Sequence, residues 1–232
     1  AETGGEAGGG KATEVSSSAF WDGKSLDTSW YTPGRSSYTI STAAQLAGLA
    51  ALVNGIYNRT ITSVYDPDNL IKDHIAVGSS GSKNEATTTY HYGYDFKDTT
   101  IYLDTDLDMS EGTYMPVGGQ YLMDDEDTGT KISASFNGAF DGQGHSVTIA
   151  LDRHCSGNYG DGESVGLIGR LGCHDSDDPS MWADQPTVRN VAVYGSVRAN
   201  RSVGGVVGKC GKSNSGCLIE NCANFALDRK SV

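Results

Sequence analysis

Residues 136–147 read FNGAFDGQGHSV, with three glycines and one histidine among twelve residues. A glycine-rich loop that binds phosphate lies between a strand and a helix, because the helix N-terminus holds the anion. After Gly144 the chain continues as HSVTIAL, in which Val147, Ile149 and Leu151 alternate with smaller or polar residues. Alternation with a period of two is typical of a strand. The stretch therefore predicts a corner between two short strands and no phosphate site.

A second alternating stretch, TIYLDTDLDM, runs from Thr100 to Met109. It predicts one half-buried strand with an apolar face and an acidic outer face. The aspartate spacing is similar to the start of a calcium loop, but Met109 stands where such a loop needs glycine. Asp104 and Asp106 stay candidate ligands for a divalent cation, such as a structural calcium ion, if another carboxylate faces them.

Two internal similarities extend this strand pattern along the chain. SVGLIG at 164–169 returns as SVGGVVG at 202–208, and VRNVA at 188–192 returns as IENCA at 219–223. Short strands and glycine corners repeated at such spacing predict a β-solenoid, whose coils stack at the ordinary strand separation of about 4.8 Å. Asn190 and Asn221 would then occupy equivalent corners, with each amide bonding along the stack.

One helix is predicted at residues 42–54, capped by Ser41 or Thr42 and stopped at Asn54-Gly55. Its apolar residues at i, i+3, i+4 and i+7 form one face, so we expect an amphipathic helix that covers the open first coil. Residues 1–18 are small and polar and predict a disordered leader or linker. The remainder, 19–232, is predicted as a single domain with an insertion at 56–97 and repeat coils at 98–232. We expect it to be an N-terminal fragment of a longer protein.

Composition limits the partners and the compartment. Seventeen basic residues against 29 acidic ones give a formal charge of −12, which argues against nucleic acid or an anionic membrane as partner. The sequence contains no apolar run long enough for a membrane helix. The GxSxG and HExxH motifs of serine hydrolases and zinc proteases are also missing.

Five cysteines do not settle the compartment, but an oxidising location would allow pairs with one thiol left over. Cys155 with Cys173, and Cys210 with Cys217, are the candidate disulfides. Cys222 lies in an apolar alternation and is predicted to be a buried free thiol.

Several of these segments, in this order, resemble the start of bacterial cell-surface proteins with GLUG-type repeats. The segments are YTISTAAQLAGLAALVNG, TIYLDTDLDM, FNGAFDGQGHSVTI, SVGLIG and NRSVGGVVGKCG followed by LIENCANFAL, within residues 38–55 and 98–227. The resemblance implies a right-handed parallel β-helix, similar to the pectate-lyase fold, in a large exported protein of gut or oral bacteria. It implies no catalytic residues, because the family shares no catalytic motif.

The favoured function is a secreted or cell-surface module, an adhesin or stalk, that binds host or cell-wall glycan or protein through its loops. An enzyme is the less favoured alternative. Loops on a rigid scaffold carry function more often than the scaffold itself. The aromatic candidates for such binding are Tyr90, Tyr92, Tyr94 and Trp182. Packing onto the protein's own surface is the favoured alternative for the tyrosines, and Trp182 can equally fold back to cap the solenoid.

The alternative function is a polysaccharide lyase or glycoside hydrolase built on a β-helix. Such an enzyme needs carboxylates or a base that face one cleft. The candidates are Asp141 at the glycine corner and Asp152, Arg153 and His154 after the next strand. Asp141 also has a structural explanation, since aspartate in a turn commonly accepts hydrogen bonds from nearby backbone.

Overall fold

The structure is a computed structural model that describes residues 19–54, 76–79, 88–91, 94, 96–111, 114–122, 131–153, 164–172, 185–199, 202–211 and 216–230. The described part is mainly β with one helix, as the sequence predicts. The helix is α1 (Ala43–Asn54). The strands are β1 (Ser37–Ile40), β2 (Ala76–Ser79), β3 (Thr88–His91), β4 (Thr100–Leu103), β5 (Leu107–Met109), β6 (Gly119–Leu122), β7 (Lys131–Ala134), β8 (Ala139–Asp141), β9 (Ser146–Arg153), β10 (Ile168–Leu171), β11 (Thr187–Arg189), β12 (Ala192–Ala199), β13 (Val207–Cys210), β14 (Leu218–Glu220), β15 (Ala223–Asn224) and β16 (Leu227–Lys230).

Most of these strands belong to parallel sheets. The first sheet has the order β1-β4-β8-β11-β14, and all its strand pairs are parallel. In the second sheet β5, β9 and β12 are parallel neighbours, and β15 and β16 both pair with β12. The third sheet pairs β10 with β13, again in parallel. A separate mixed sheet has the order β2-β3-β7-β6.

The corner predicted at 142–145 is present. β8 ends at Asp141 and β9 begins at Ser146, so a strand and not a helix follows the glycines. Gln143 and Gly144 both have positive φ, at 51° and 89°. The phosphate-loop alternative is therefore excluded at this stretch.

The internal similarities fall on paired residues. Val188 pairs with Ile219, and Val165 forms a parallel bridge with Val203. The two copies of each repeat are therefore neighbours in a parallel sheet. The number of residues between the two copies differs from one repeat to the other, because insertions of different length lie between the strands.

Apolar residues that are register partners on neighbouring strands form the core. In the first sheet Tyr38, Ile101, Phe140 and Val188 follow one another across four strands, and all four side chains are buried. Because side chains alternate along a strand, each strand contributes every second residue to this interior. Burial of one such side chain contributes about 1.5–3 kcal/mol to the free energy of unfolding.

The helix lies where the sequence predicts it but is more buried than expected. The Thr42 hydroxyl accepts the N–H of Gln45 at 3.2 Å, which confirms Thr42 as the cap. Ten of the twelve residues are buried, so the prediction of an amphipathic helix with one exposed face is wrong. One reason is that the preceding segment packs over the helix: the N–H of Asp27 donates to the carbonyl of Ala44 at 2.9 Å.

The expected single strand from Thr100 to Met109 is instead two strands, β4 and β5, which belong to different sheets. The chain turns at residues 104–106, where the N–H of Asp104 donates to the carbonyl of Ile40. Alternation of apolar residues continues through this turn because both strands face the same interior. The period of two therefore does not by itself indicate the corner between β4 and β5.

The predicted insertion at 56–97 contains β2 and β3, which form an antiparallel pair. In the described part of the chain, no helix is both long and apolar enough to cross a bilayer.

Candidate functional site

A cluster of polar side chains lines the corner between the first and second sheets; we call Asp141, Gln143, Arg189, Asn190 and Asn221 the corner cluster. Asp141 is the last residue of β8 and pairs in register with Arg189, the last residue of β11. Asn190 and Asn221 directly follow β11 and β14. The parallel register therefore brings residues far apart in sequence to one line along the stack.

The carboxylate of Asp141 is the centre of this cluster. It accepts Nε of Arg189 at 2.9 Å, Nδ2 of Asn190 at 3.0 Å and the backbone N–H of Gln143 at 2.9 Å. Asn221 in turn donates Nδ2 to Oδ1 of Asn190 at 2.6 Å. The predicted bonding between the amides of Asn190 and Asn221 is confirmed.

Burial alone would raise the pKa of Asp141, but the hydrogen bonds from Asn190, Gln143 and Arg189 outweigh it and hold the pKa below its usual range. The side chain is buried and ionised, and both of its oxygens accept hydrogen bonds from the protein. These contacts account for Asp141 as a residue that stabilises the corner between β8 and β9.

Asp152 lies far from this corner. It is exposed near the end of β9 and its carboxylate lies 3.8 Å from Nη1 of Arg198. The six residue-to-residue steps from Ser146 to Asp152 span about 20 Å at the rise of a strand. The structure therefore does not bring Asp141 and Asp152 together. Arg153 ends β9, but its side chain and the whole of His154 lie outside the described residues.

Asp104 and Asp106 both lie in the turn between β4 and β5, and both are exposed. Asp104 accepts the hydroxyl of Ser41 at 2.8 Å, while Asp106 accepts the N–H of Ser146 at 2.7 Å and lies 3.5 Å from Nδ1 of His145. The N–H of Ser146 is the main reason that the pKa of Asp106 is lowered.

Calcium takes six to eight oxygen ligands. Within the described segments, no three His, Cys, Asp or Glu side chains are grouped to hold a metal ion. Both aspartates are also engaged with protein donors. The described residues therefore offer no complete calcium site, and a structural calcium ion stays a prediction.

The predicted aromatic binding residues are only partly described. Tyr94 is half-buried and its ring lies 4.8 Å from that of Tyr31, within a cluster that continues to Trp30 and Phe96. Its contacts fit the packing alternative. Tyr90 lies in β3 without a described side chain, and Tyr92 and Trp182 lie outside the described residues.

One predicted disulfide is confirmed. Cys210 and Cys217 are bonded across a short loop, with Cα atoms 6.1 Å apart. Cys222 is free and half-buried, and burial raises the pKa of its thiol. Cys155 and Cys173 lie outside the described residues.

An exposed aromatic pair that was not predicted from the sequence lies on the outer side of the second sheet. The rings of Tyr194 and Phe225 stack with centroids 4.9 Å apart and planes 15° apart, and the two residues are 42% and 60% exposed. Each ring follows the corner asparagine of its repeat by four residues. That shared offset, seen at Asn190 and Asn221, is the sequence signal that could have found the pair.

Polar residues surround this pair. Thr148 is the register partner of Tyr194 on β9, and Ser196 is the next residue on β12 that faces the same side. Leu227 of β16 pairs in register with Ser196, and its side chain is exposed. We call the surface of Thr148, Tyr194, Ser196, Phe225 and Leu227 the aromatic face.

Comparison with protein-family models, with curated protein sequences and with solved structures gave no match to this chain. The resemblance to GLUG-type surface proteins therefore stays a prediction that depends on the residue pattern.

Proposed function

We propose that the chain is a right-handed parallel β-helix that acts as an exported, non-enzymatic surface module and binds glycan through the aromatic face. Three parallel sheets with matching repeat registers support the β-helix. Crossovers between parallel strands of one sheet are right-handed in about 98% of cases, which supports the handedness.

The aromatic face is the observation that carries the proposed binding. Large exposed apolar groups rimmed by polar residues mark interaction surfaces. The rings of Tyr194 and Phe225 offer apolar contact area to the C–H groups of a sugar, while the hydroxyls of Thr148 and Ser196 can exchange hydrogen bonds with sugar hydroxyls. Thr148, Tyr194 and Ser196 lie in strands, and the N–H of Phe225, between β15 and β16, donates to the carbonyl of Val193 in β12 at 2.7 Å, so little ordering is required on binding.

The charge of the chain indicates which glycans fit. A net charge of −12 repels anionic polysaccharides, so the proposed ligand is a neutral glycan. The Cys210–Cys217 disulfide supports export, because such bonds persist in oxidising compartments.

The test is a screen of neutral and acidic glycans with the whole chain, and each binding glycan is also checked for released product. We expect binding to neutral glycans without turnover. Tyr194→Ala and Phe225→Ala should each weaken binding roughly tenfold, equivalent to about 1.4 kcal/mol. Phe20→Ala is the matched control, since Phe20 is equally exposed but borders β5 at the far side of the same sheet.

Two outcomes would contradict the proposal. Unchanged binding in both variants would show that the ligand contacts another surface. Released product from any polysaccharide would favour the enzyme alternative, and Asp152→Asn would then be the first variant to assay.

A further inference from the structure

Side chains on the outer side of the second sheet form a row that crosses its strands. Asp108 of β5 pairs in register with Thr148 of β9, and Thr148 pairs with Tyr194 of β12. The ring of Phe225 stacks on that of Tyr194. Register partners on neighbouring strands lie about 4.8 Å apart. The row therefore offers one contact position on each strand at nearly equal spacing.

The row faces outward and lies within the sheet. Asp108 stands between two buried residues of β5, and Thr148 stands between two fully buried residues of β9. Because side chains alternate along a strand, both side chains lie on the outer side. Each of β5, β9 and β12 has a pairing partner on both sides, which for β5 includes the bridge from Phe20. The row therefore does not depend on an open sheet edge.

Asp108 forms the polar end of the row. Its Oδ1 accepts the N–H of Ser110 at 2.8 Å, and no residue in the described part of the chain donates to its Oδ2. A hydrogen bond to a charged acceptor is stronger than one between neutral groups. The carboxylate of Asp108 can therefore accept a sugar hydroxyl, while it repels an acidic sugar.

Spacing distinguishes a ligand that crosses the strands from one that follows a single strand. Along β12 the next outward residues, Ala192 and Ser196, lie two positions from Tyr194, or about 6.6 Å at the rise of a strand. Across the strands each step is about 4.8 Å, which is close to the advance per unit of a straight chain of six-membered sugar rings. A straight glycan that crosses the strands therefore places one sugar on each contact position.

We propose that the aromatic face binds a straight, neutral oligosaccharide of β-1,4-linked glucose type, which crosses the strands from Phe225 to Asp108. Both bonds of each linkage are equatorial, so the chain is straight. Tyr194 and Phe225 contact its C–H groups, and Thr148 and Asp108 bind hydroxyls of the following sugars. This inference rests on the proposed glycan binding and adds the shape of the ligand and Asp108 as a specificity-determining residue.

Titration calorimetry of the whole chain tests the length dependence. The probes are β-1,4-linked glucose oligosaccharides of two, three and four units, and the control series has α-1,4 linkages, which make the chain coil. We expect the affinity for the β-linked series to rise roughly tenfold or more from two units to four, because each added sugar reaches a further position of the row. The α-linked series should show no such rise.

Asp108→Asn tests the polar end of the row and keeps the size of the side chain and an acceptor for Ser110. It should weaken binding of the four-unit β-linked probe roughly tenfold, because the charged acceptor is lost, and should leave the two-unit probe within about twofold of wild type. Asp152→Asn is the matched control, since Asp152 is also exposed on the sheet but lies off the row. Circular dichroism checks that both variants remain folded.

The outcomes separate this inference from the proposed function. Equal affinity of wild type for the two-unit and four-unit probes, equal binding by Asp108→Asn and Asp152→Asn, or preference for the α-linked series would overturn the crossing glycan. Binding of some other neutral glycan in the screen would then still support the proposed function. An absence of binding by every glycan in the screen would refute the proposed function and this inference together.

Discussion

Removal of the Asp141 carboxylate should destabilise the fold far more than removal of any exposed carboxylate. In Asp141→Ala the Nδ2 group of Asn190 and the N–H of Gln143 lose a charged acceptor in a partly buried corner. Arg189 loses its partner at 2.9 Å as well. The change therefore breaks the contacts that hold residues 141–143 and 189–190 together.

The size of the effect follows from these contacts. A hydrogen bond to a charged group contributes about 1.5 kcal/mol or more, so the two donors account for about 3 kcal/mol. The Arg189 side chain is 39% exposed, and solvent screening limits its pair to about 1 kcal/mol or less. We expect a loss of about 3–4 kcal/mol in the free energy of unfolding, or roughly 6–16 °C in Tm for a chain of this size.

Urea unfolding, followed by far-ultraviolet circular dichroism, measures this loss. Asp152→Ala is the control, since its exposed pair with Arg198 should contribute about 1 kcal/mol or less. A free energy within about 0.5 kcal/mol of wild type for Asp141→Ala would refute the structural role of this carboxylate.

The loss of stability in Asp141→Ala should also depend on pH. The pKa of Asp141 is lower in the folded chain than its unfolded value of about 3.9, so the unfolded state binds more protons in this range. The stabilisation is complete above that value and is lost as the pH falls through the folded pKa. The difference between wild type and Asp141→Ala should therefore shrink below about pH 4, and a constant difference down to pH values well below it would contradict this assignment.

Two further predictions concern the backbone and the disulfide. Gly195→Ala should lower the free energy of unfolding by about 2–4 kcal/mol, because φ is +98° and a Cβ would lie 2.0 Å from the carbonyl oxygen of Ile149. Gly144→Ala is the control: φ is +89° but nothing lies within 4 Å, so the loss should be only about 1 kcal/mol. Equal losses for the two variants in urea unfolding would exclude the clash at Gly195. The double change Cys210→Ser and Cys217→Ser should lower the free energy of unfolding by about 2 kcal/mol, and reducing agent should lower the Tm of wild type by more than that of this variant.

The corner at 142–145, the helix and the paired repeats could all be predicted from sequence, because each has a local signal. Glycines next to a period of two indicate a strand corner, and Thr42 begins the helix through a side chain close in sequence. The repeats predicted parallel neighbours because identical patterns occupy identical environments. The turn at 104–106 was not predicted, since alternation of buried residues continues through it.

The amino-acid sequence by itself determined a mainly β chain of repeated short strands with one N-terminal helix, since periodicity, capping and turn residues act over a few residues. Only the tertiary structure decided what Asp141 does, because its partners Arg189 and Asn190 are almost fifty residues away and reach it through sheet register. It also decided that Tyr194 and Phe225 form a pair on the outer face. Contacts of this kind depend on insertion lengths and register, so the shared offset of the two rings from Asn190 and Asn221 indicates their contact only if the two repeats are neighbours.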